Sequence, residues 1–389
     1  MDRIGLISEP PAIRERTARC RNALGLGAAA IALTALSAPA HGTAFTVTKL
    51  VTDDQAINTA LIADPGLKNP WGVSFSPSNA FWISNNGTGT STLYSVDPTT
   101  NATSKVGLTV TIPGAGNPTG QVFNSSASNF DGNSFLFVSE DGTVSGWRNS
   151  LGTTAAILKP GAPTNIYKGA ALATIGSNEY LYAANFKAGT IDVLKGTSGA
   201  PALTGNFSAP ALPAGYAPFN IENIGGDLYV SYAVQDAAKE DDVKGAGHGA
   251  IDVFDTEGKF VNRLTSGGPL NSPWGMVVAP SSFAEFAGKL LVGNFGDGTI
   301  NAFDPATGAS LGVVTGTDGK PISIDGLWAL TAGNGGQAGS ALSLYFTAGP
   351  NDETNGLFGV LRAVPEPSTY ALLGIGLLGV LVARRRRLS

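Results

Sequence analysis

The chain reads as an all-β protein: a six-bladed β-propeller, its ring closed by an N-terminal strand joining the last blade, followed by a short C-terminal transmembrane helix. Three observations predict this. A unit of strand, glycine-containing break and strand recurs six times within the 389 residues. The apolar residues that follow the breaks, Leu93, Val144, Ile191, Ile251, Ile300 and Leu357, stand 51, 47, 60, 49 and 57 positions apart, the interval of a propeller blade. No long stretch of the body repeats apolar residues at 3.6 spacing, so helices should be few.

Residues 1–40 read as an export signal. Arg14, Arg16, Arg19 and Arg21 form a basic lead, Ala23 to Leu36 an apolar run, and Ala38-Pro39-Ala40 an A-x-A site cut after Ala40. The only cysteine, Cys20, lies inside this signal, so the body at 41–364 has none. A body of this size has a core of its own and does not depend on disulfides.

The body begins with "FTVTKLV" (Phe45 to Val51), which alternates at period two ahead of the first blade. The sixth blade runs almost into the tail and lacks room for a fourth strand. The N-terminal segment is therefore predicted to fill that place, hiding edges that an open sheet would expose. The six hairpins are "FWISNNGTGTSTLYSVDP" from Phe81, "FLFVSEDGTVSGW" from Phe135, "YLYAANFKAGTIDVL" from Tyr180, "DLYVSY" from Asp227 with "GHGAIDVFD" from Gly247, "LLVGNFGDGTINAFD" from Leu290, and "LSLYFTAGPNDETNGLFGVL" from Leu342. Upstream of each lies a further strand, beginning near Trp71, Thr119, Gly169, Asn220, Trp274 and Gly326. Some hairpins also have a segment after them, such as Ser310 to Gly316, giving up to four strands per blade.

The break "GDGT" (Gly296 to Thr299) could pass for a phosphate or calcium loop. A P-loop needs a Lys after its last Gly, and an EF-hand needs further acids and a closing Glu; neither is present. Other blades read "GTGT", "EDGT" and "KAGT", so Gly-Thr recurs while the acid does not. That is the pattern of a hairpin turn, with Gly for positive φ and Thr for the next strand.

The end of the chain, residues 365–389, has three parts: Pro365-Glu366-Pro367, an uncharged run from Tyr370 to Ala383, and Arg384, Arg385, Arg386 and Arg387. The run is short for a spanning helix, and the arginines should stay on the cytoplasmic side. This tail resembles the PEP-CTERM sorting signal of Gram-negative bacteria. The resemblance implies recognition by an exosortase, a transpeptidase-like membrane enzyme, with removal near Pro-Glu-Pro, and company with exopolysaccharide production. It also implies a protein anchored in the inner membrane before processing, then periplasmic, at the cell surface or extracellular. The body resembles six-bladed propellers of the NHL and gluconolactonase-like kind. Its "NPWG", "SPWG" and "GTI-x-x-F-D" phrases are similar to a family of exported bacterial propellers of unassigned function.

The chain carries 24 Lys and Arg against 29 Asp and Glu, but nine of the basic residues and only four of the acidic ones lie in the two end segments. The body is therefore net −10, a poor electrostatic match for nucleic acid. Its one internal histidine, His248, sits in a Gly-rich turn, which does not suit a catalytic triad or a zinc site. Asp236, Glu240, Asp241 and Asp242 offer oxygen ligands of the kind calcium takes, with a solvated loop as the competing reading. Asn69, Asn117, Asn220, Glu222, Asn271 and Asp325, near the starts of the upstream strands, are expected at one mouth of the central channel. The gluconolactonase-like resemblance gives such residues a divalent metal and a lactone, while Asn and Asp also cap turns. Trp71, Trp274 and Trp328 hold equivalent places, either as a sugar-binding stack or as packing between blades. Three functions follow: a binding propeller for exopolysaccharide or surface protein with no cofactor, a metal-dependent hydrolase or lactonase, and a structural spacer.

Overall fold

The computed structural model describes residues 43–364; the signal with Ala38 and Ala40, and the tail with Pro365, Glu366, Pro367 and Arg384 to Arg387, lie outside them. Six sheets form the blades, all antiparallel except for two short strands, Ile62–Ala63 and Thr315–Gly316, that pair in parallel with Ala44–Thr52 in the sixth. From the axis outward, blade 1 comprises Pro70–Ser74, Phe81–Asn85, Thr90–Val96 and Thr103–Thr111; blade 2 comprises Pro118–Phe123, Phe135–Ser139, Val144–Trp147 and Ala156–Lys159. Blade 4 comprises Tyr216–Ile224, Asp227–Val234, Ala250–Phe254 and Phe260–Ser266; blade 5 comprises Pro273–Val278, Leu290–Asn294, Ile300–Phe303 and Ser310–Val313. Blade 3 has only three strands, Tyr167–Ile175, Asn178–Asn185 and Thr190–Lys195. Its missing fourth strand falls in 196–215, where Pro201, Pro210 and Pro213 lack the N–H a ladder needs. Helix is confined, among the described residues, to four short 3₁₀ turns.

Blade 6 takes Leu327–Ala332, Leu344–Ala348 and Leu357–Ala363 from the end of the body and Ala44–Thr52 from its start. The register runs from Phe45 opposite Ala363 to Thr52 opposite Leu357, so the ring closes as the lone N-terminal strand predicts.

Neighbouring blades clamp one another. Six apolar clusters fill the gaps between blades, because each second strand is buried on both faces. Inner strands approach so closely that a Cβ at Gly72 would lie 2.5 Å from Thr119 O, and one at Gly120 2.5 Å from Ala170 N. Each inner strand also shifts register near its start, as between Pro70 and Val73 or Pro218 and Asn220. A bulge at this level re-aims side chains toward the axis.

The strand directions define two faces. Starts of inner strands lie level with the hairpins between second and third strands, as Pro70 does with Asn85. This is the hairpin face. The ends of the inner strands open on the opposite, exit face.

Candidate functional site

A seventh apolar cluster lies on the axis itself. The bulges turn Trp71, Trp274 and Trp328 inward, where they meet each other rather than the gaps between blades. Trp71 and Trp328 stack with centroids 3.5 Å apart, Phe295 stacks on Trp328 at 3.9 Å, and Trp274 stands edge-on to both tryptophans. Trp274 Nε1 donates to Lys168 O at 3.1 Å and Trp328 Nε1 to Asn69 Oδ1 at 3.2 Å. The centre of the ring is thus closed by aromatic rings buried to 2 % exposure or less at all three tryptophans.

Above this plug, on the hairpin face, charged groups pair off. Lys168, 2 % exposed, places Nζ 2.6 Å from Glu140 Oε1, 3.1 Å from Asp241 Oδ1 and 5.1 Å from the Trp71 ring centre. Burial alone would lower its pKa, but the two carboxylates hold the ammonium above its ordinary value. Asn69 Nδ2 donates to Glu353 Oε2 at 2.6 Å, and burial pushes the Glu353 carboxyl up. Lys168 and Glu353 carry no motif, and Glu140 opens the "EDGT" break at a position where the acid does not recur. The one sequence signal was a Lys within an inner strand, in "YKGAALAT".

The four acids of the blade 4 insertion do not converge. Asp236 Oδ1 accepts from the N–H of Glu240 at 2.8 Å, Glu240 pairs with Lys187 at 2.8 Å, and Asp241 pairs with Lys168. Asp242 is pushed up by burial. Among the described residues no group of three or more His, Cys, Asp or Glu is arranged to hold a metal ion.

The six channel residues separate along the axis. Asn271 Oδ1 accepts from Gly245 N at 2.7 Å, Asp325 Oδ2 from Asn351 N at 2.9 Å, and Asn117 O from Glu140 N at 3.0 Å, all holding loops on the hairpin face. Asn69 is buried beside the plug. Asn220 and Glu222 lie farther along their strand, beyond the plug, and line a cavity of about 320 Å³ toward the exit face. Glu222 and Asp325 are thus on opposite sides of the aromatic layer.

This cavity is blind at its inner end, where Trp274 forms part of its lining. Glu222 and Thr331 bring polar groups to it, while Met276, Val277 and Leu330 supply apolar surface. Gln121, also in the lining, is occupied: it donates to Trp82 O and accepts from Ser84 Oγ at 2.9 Å. Asn220 Nδ2 donates to Trp274 O at 2.8 Å, whereas its Oδ1, fully buried, has no donor. Enclosure pushes the Glu222 carboxyl up to about 8, opposed only by a long contact to Asn220. Enclosure thus favours the protonated form of this carboxyl, which can donate as well as accept.

The "GDGT" turn follows Phe295 of the plug and is tied to Asn271, whose Nδ2 donates to Asp297 Oδ2 at 3.3 Å. Gly298 has φ 72°, and Asp297 Oδ1 accepts from Thr299 N at 3.0 Å and Thr299 Oγ1 at 2.7 Å. Its acid holds the turn, as Asp141 does in "EDGT".

Comparison with known proteins adds three findings. Residues 363–387 match the PEP-CTERM protein-sorting motif. The chain is 32 % identical over 323 residues to the uncharacterized protein R648 of Acanthamoeba polyphaga mimivirus, covering 78 % of this chain and 76 % of that protein. It is 33 % identical over 320 residues to the uncharacterized protein L690 of the same virus, covering 77 % and 81 %. Among solved structures, the alpha-L-arabinanase of Penicillium chrysogenum complexed with arabinobiose is similar with a TM-score of 0.49 and 11 % identity over 82 % of this chain and 98 % of that one. A likeness of that degree carries no argument about activity.

Proposed function

The chain belongs to the same family as R648 and L690 and carries a sorting motif for export, and on that premise we propose that its body is a non-catalytic binding propeller. The ligand is a component of the envelope or matrix, an uncharged polyhydroxylated group such as a sugar unit of an exopolysaccharide. The observation that carries this reading is the blind exit-face cavity with its neutral Glu222 carboxyl.

The cavity mixes apolar walls with a few polar groups, as pockets for small uncharged ligands do. Sugars match that mix: hydroxyls meet Glu222 and Thr331, while C–H faces meet Met276 and Leu330. A protonated carboxyl donates a hydrogen bond to a neutral hydroxyl without leaving a buried charge unpaired. Catalysis has less support, since the acids near the axis lie on two sides of the aromatic plug. The tail's resemblance to signals that accompany exopolysaccharide production favours a matrix polymer over a surface protein. A pull-down of the processed body against the producing organism's polysaccharide and its surface proteins tests the choice. Retention on the polysaccharide that Glu222→Lys abolishes is expected; retention on neither rules the reading out.

A further inference from the structure

The two ends of the body leave the ring together. Val364 N donates to Ala44 O at 2.8 Å, and Phe45 stands opposite Ala363. Their surroundings belong to the exit face. Thr43 N and Oγ1 donate to Glu285 at 2.7 and 2.5 Å, in the turn that joins the inner and second strands of blade 5. Arg362, one residue before Ala363, donates to Asn101 Oδ1 at 2.6 Å and to Ser343 Oγ at 3.0 Å. Asn101 lies between the third and fourth strands of blade 1, and Ser343 just before the second strand of blade 6, both exit-face positions.

The sorting motif starts at residue 363, so the signal that anchors the protein before processing begins where the last strand ends. Between Val364 and the apolar run opening at Tyr370 there are five residues. Fully extended, they reach about 18 Å. The ring is therefore held close to the bilayer by the rim of the face that contains the cavity.

We propose that the uncut tail keeps the exit face and its cavity turned toward the membrane, and that cutting the chain beyond Val364 frees that face for a bulky polymer. In the cut, one peptide bond between the fold and the apolar run breaks. Its acyl carbon passes to water or to an acceptor amine, and the new amino end leaves with the tail. The regulatory meaning rests on the cavity's being the binding site; the orientation does not.

The body has no cysteine, which allows a direct test. Ser177 is exposed in the exit-face turn of blade 3, and Thr354 is exposed in the hairpin-face loop of blade 6. The tail-bearing protein, with Cys20→Ser and a four-residue protease sequence written over residues 365–368 so that the tether keeps its length, is placed in phosphatidylethanolamine–phosphatidylglycerol vesicles. A polymer-linked maleimide then reads Ser177→Cys or Thr354→Cys before and after the cut. The Thr354→Cys rate is expected to stay constant, whereas the Ser177→Cys rate rises at least ten-fold on cutting. Equal rates at the two positions before the cut, whether fast or slow, overturn the proposal. If Ser177→Cys responds as expected but the cut protein takes up no polysaccharide, the ligand reading falls and the orientation stands.

Discussion

Glu222 is where the chemistry and the stability of the body meet. Its folded pKa, about 8, lies above the ordinary carboxylate value of 4.5. Between those values the folded state keeps a proton that the unfolded state has lost, so this group makes stability fall as pH rises through that window. Below 4.5 both states are protonated and the penalty vanishes; above 8 it is fully developed. Glu222→Gln is therefore expected to melt higher than the wild type at pH 8.5, by on the order of 2–4 °C, and to match it at pH 4. Thermal scans at both values check this. Lys168 provides a contrast, because its two partners differ in exposure, 27 % for Glu140 and 77 % for Asp241. Glu140→Gln should cost about 2 kcal/mol, through the buried ammonium it leaves underpaired, and Asp241→Asn less than about 1. Denaturant titration separates them. Sequence reasoning reached Glu222 by its place in an inner strand, but could not separate it from Asp325. That needed the bulge at Pro218 and the aromatic layer, which only the folded register reveals.

At the scale of strands and turns the sequence was more legible. Apolar runs, Gly-Thr breaks and a roughly fifty-residue interval are local features, and they located the inner strands, the hairpins and the closing strand. The closure depends on Phe45, 1 % exposed and 4.8 Å from the Phe283 ring. Phe45→Ala should cost about 3–5 kcal/mol and open both ends of the body to protease, with cuts near residues 43–52 and 357–364 read by mass spectrometry. Gly298→Ala should destabilise blade 5, since the turn needs positive φ and a Cβ there would run into the Ile324 carbonyl. The absent fourth strand of blade 3 was harder to see. Its segment has the length of a strand and its turns, and only the prolines mark it as irregular. The tryptophans do pack between blades, but the bulges send all three to one point on the axis, a placement that their equivalent positions alone do not give.

For the whole molecule, the closed centre divides the body into two dissimilar faces. The hairpin face holds the ion pairs of Lys168 and Lys187, while the exit face holds the cavity and both chain ends. Composition gave the net charge of the body but not which carboxylates meet a lysine, because those pairs join residues of different blades only after the ring forms. The C-terminal sorting signal, by contrast, was readable as an ordered motif. The central claim is that the exit-face cavity binds a neutral sugar unit through protonated Glu222. Calorimetric titration of the processed body with the producing organism's exopolysaccharide, at pH 6 and pH 9.5, tests it most directly. Saturable binding at pH 6 that weakens at least ten-fold at pH 9.5, and that Glu222→Gln retains at both, is the predicted result. Binding indifferent to pH and to Glu222→Lys, or no binding at pH 6, would contradict it.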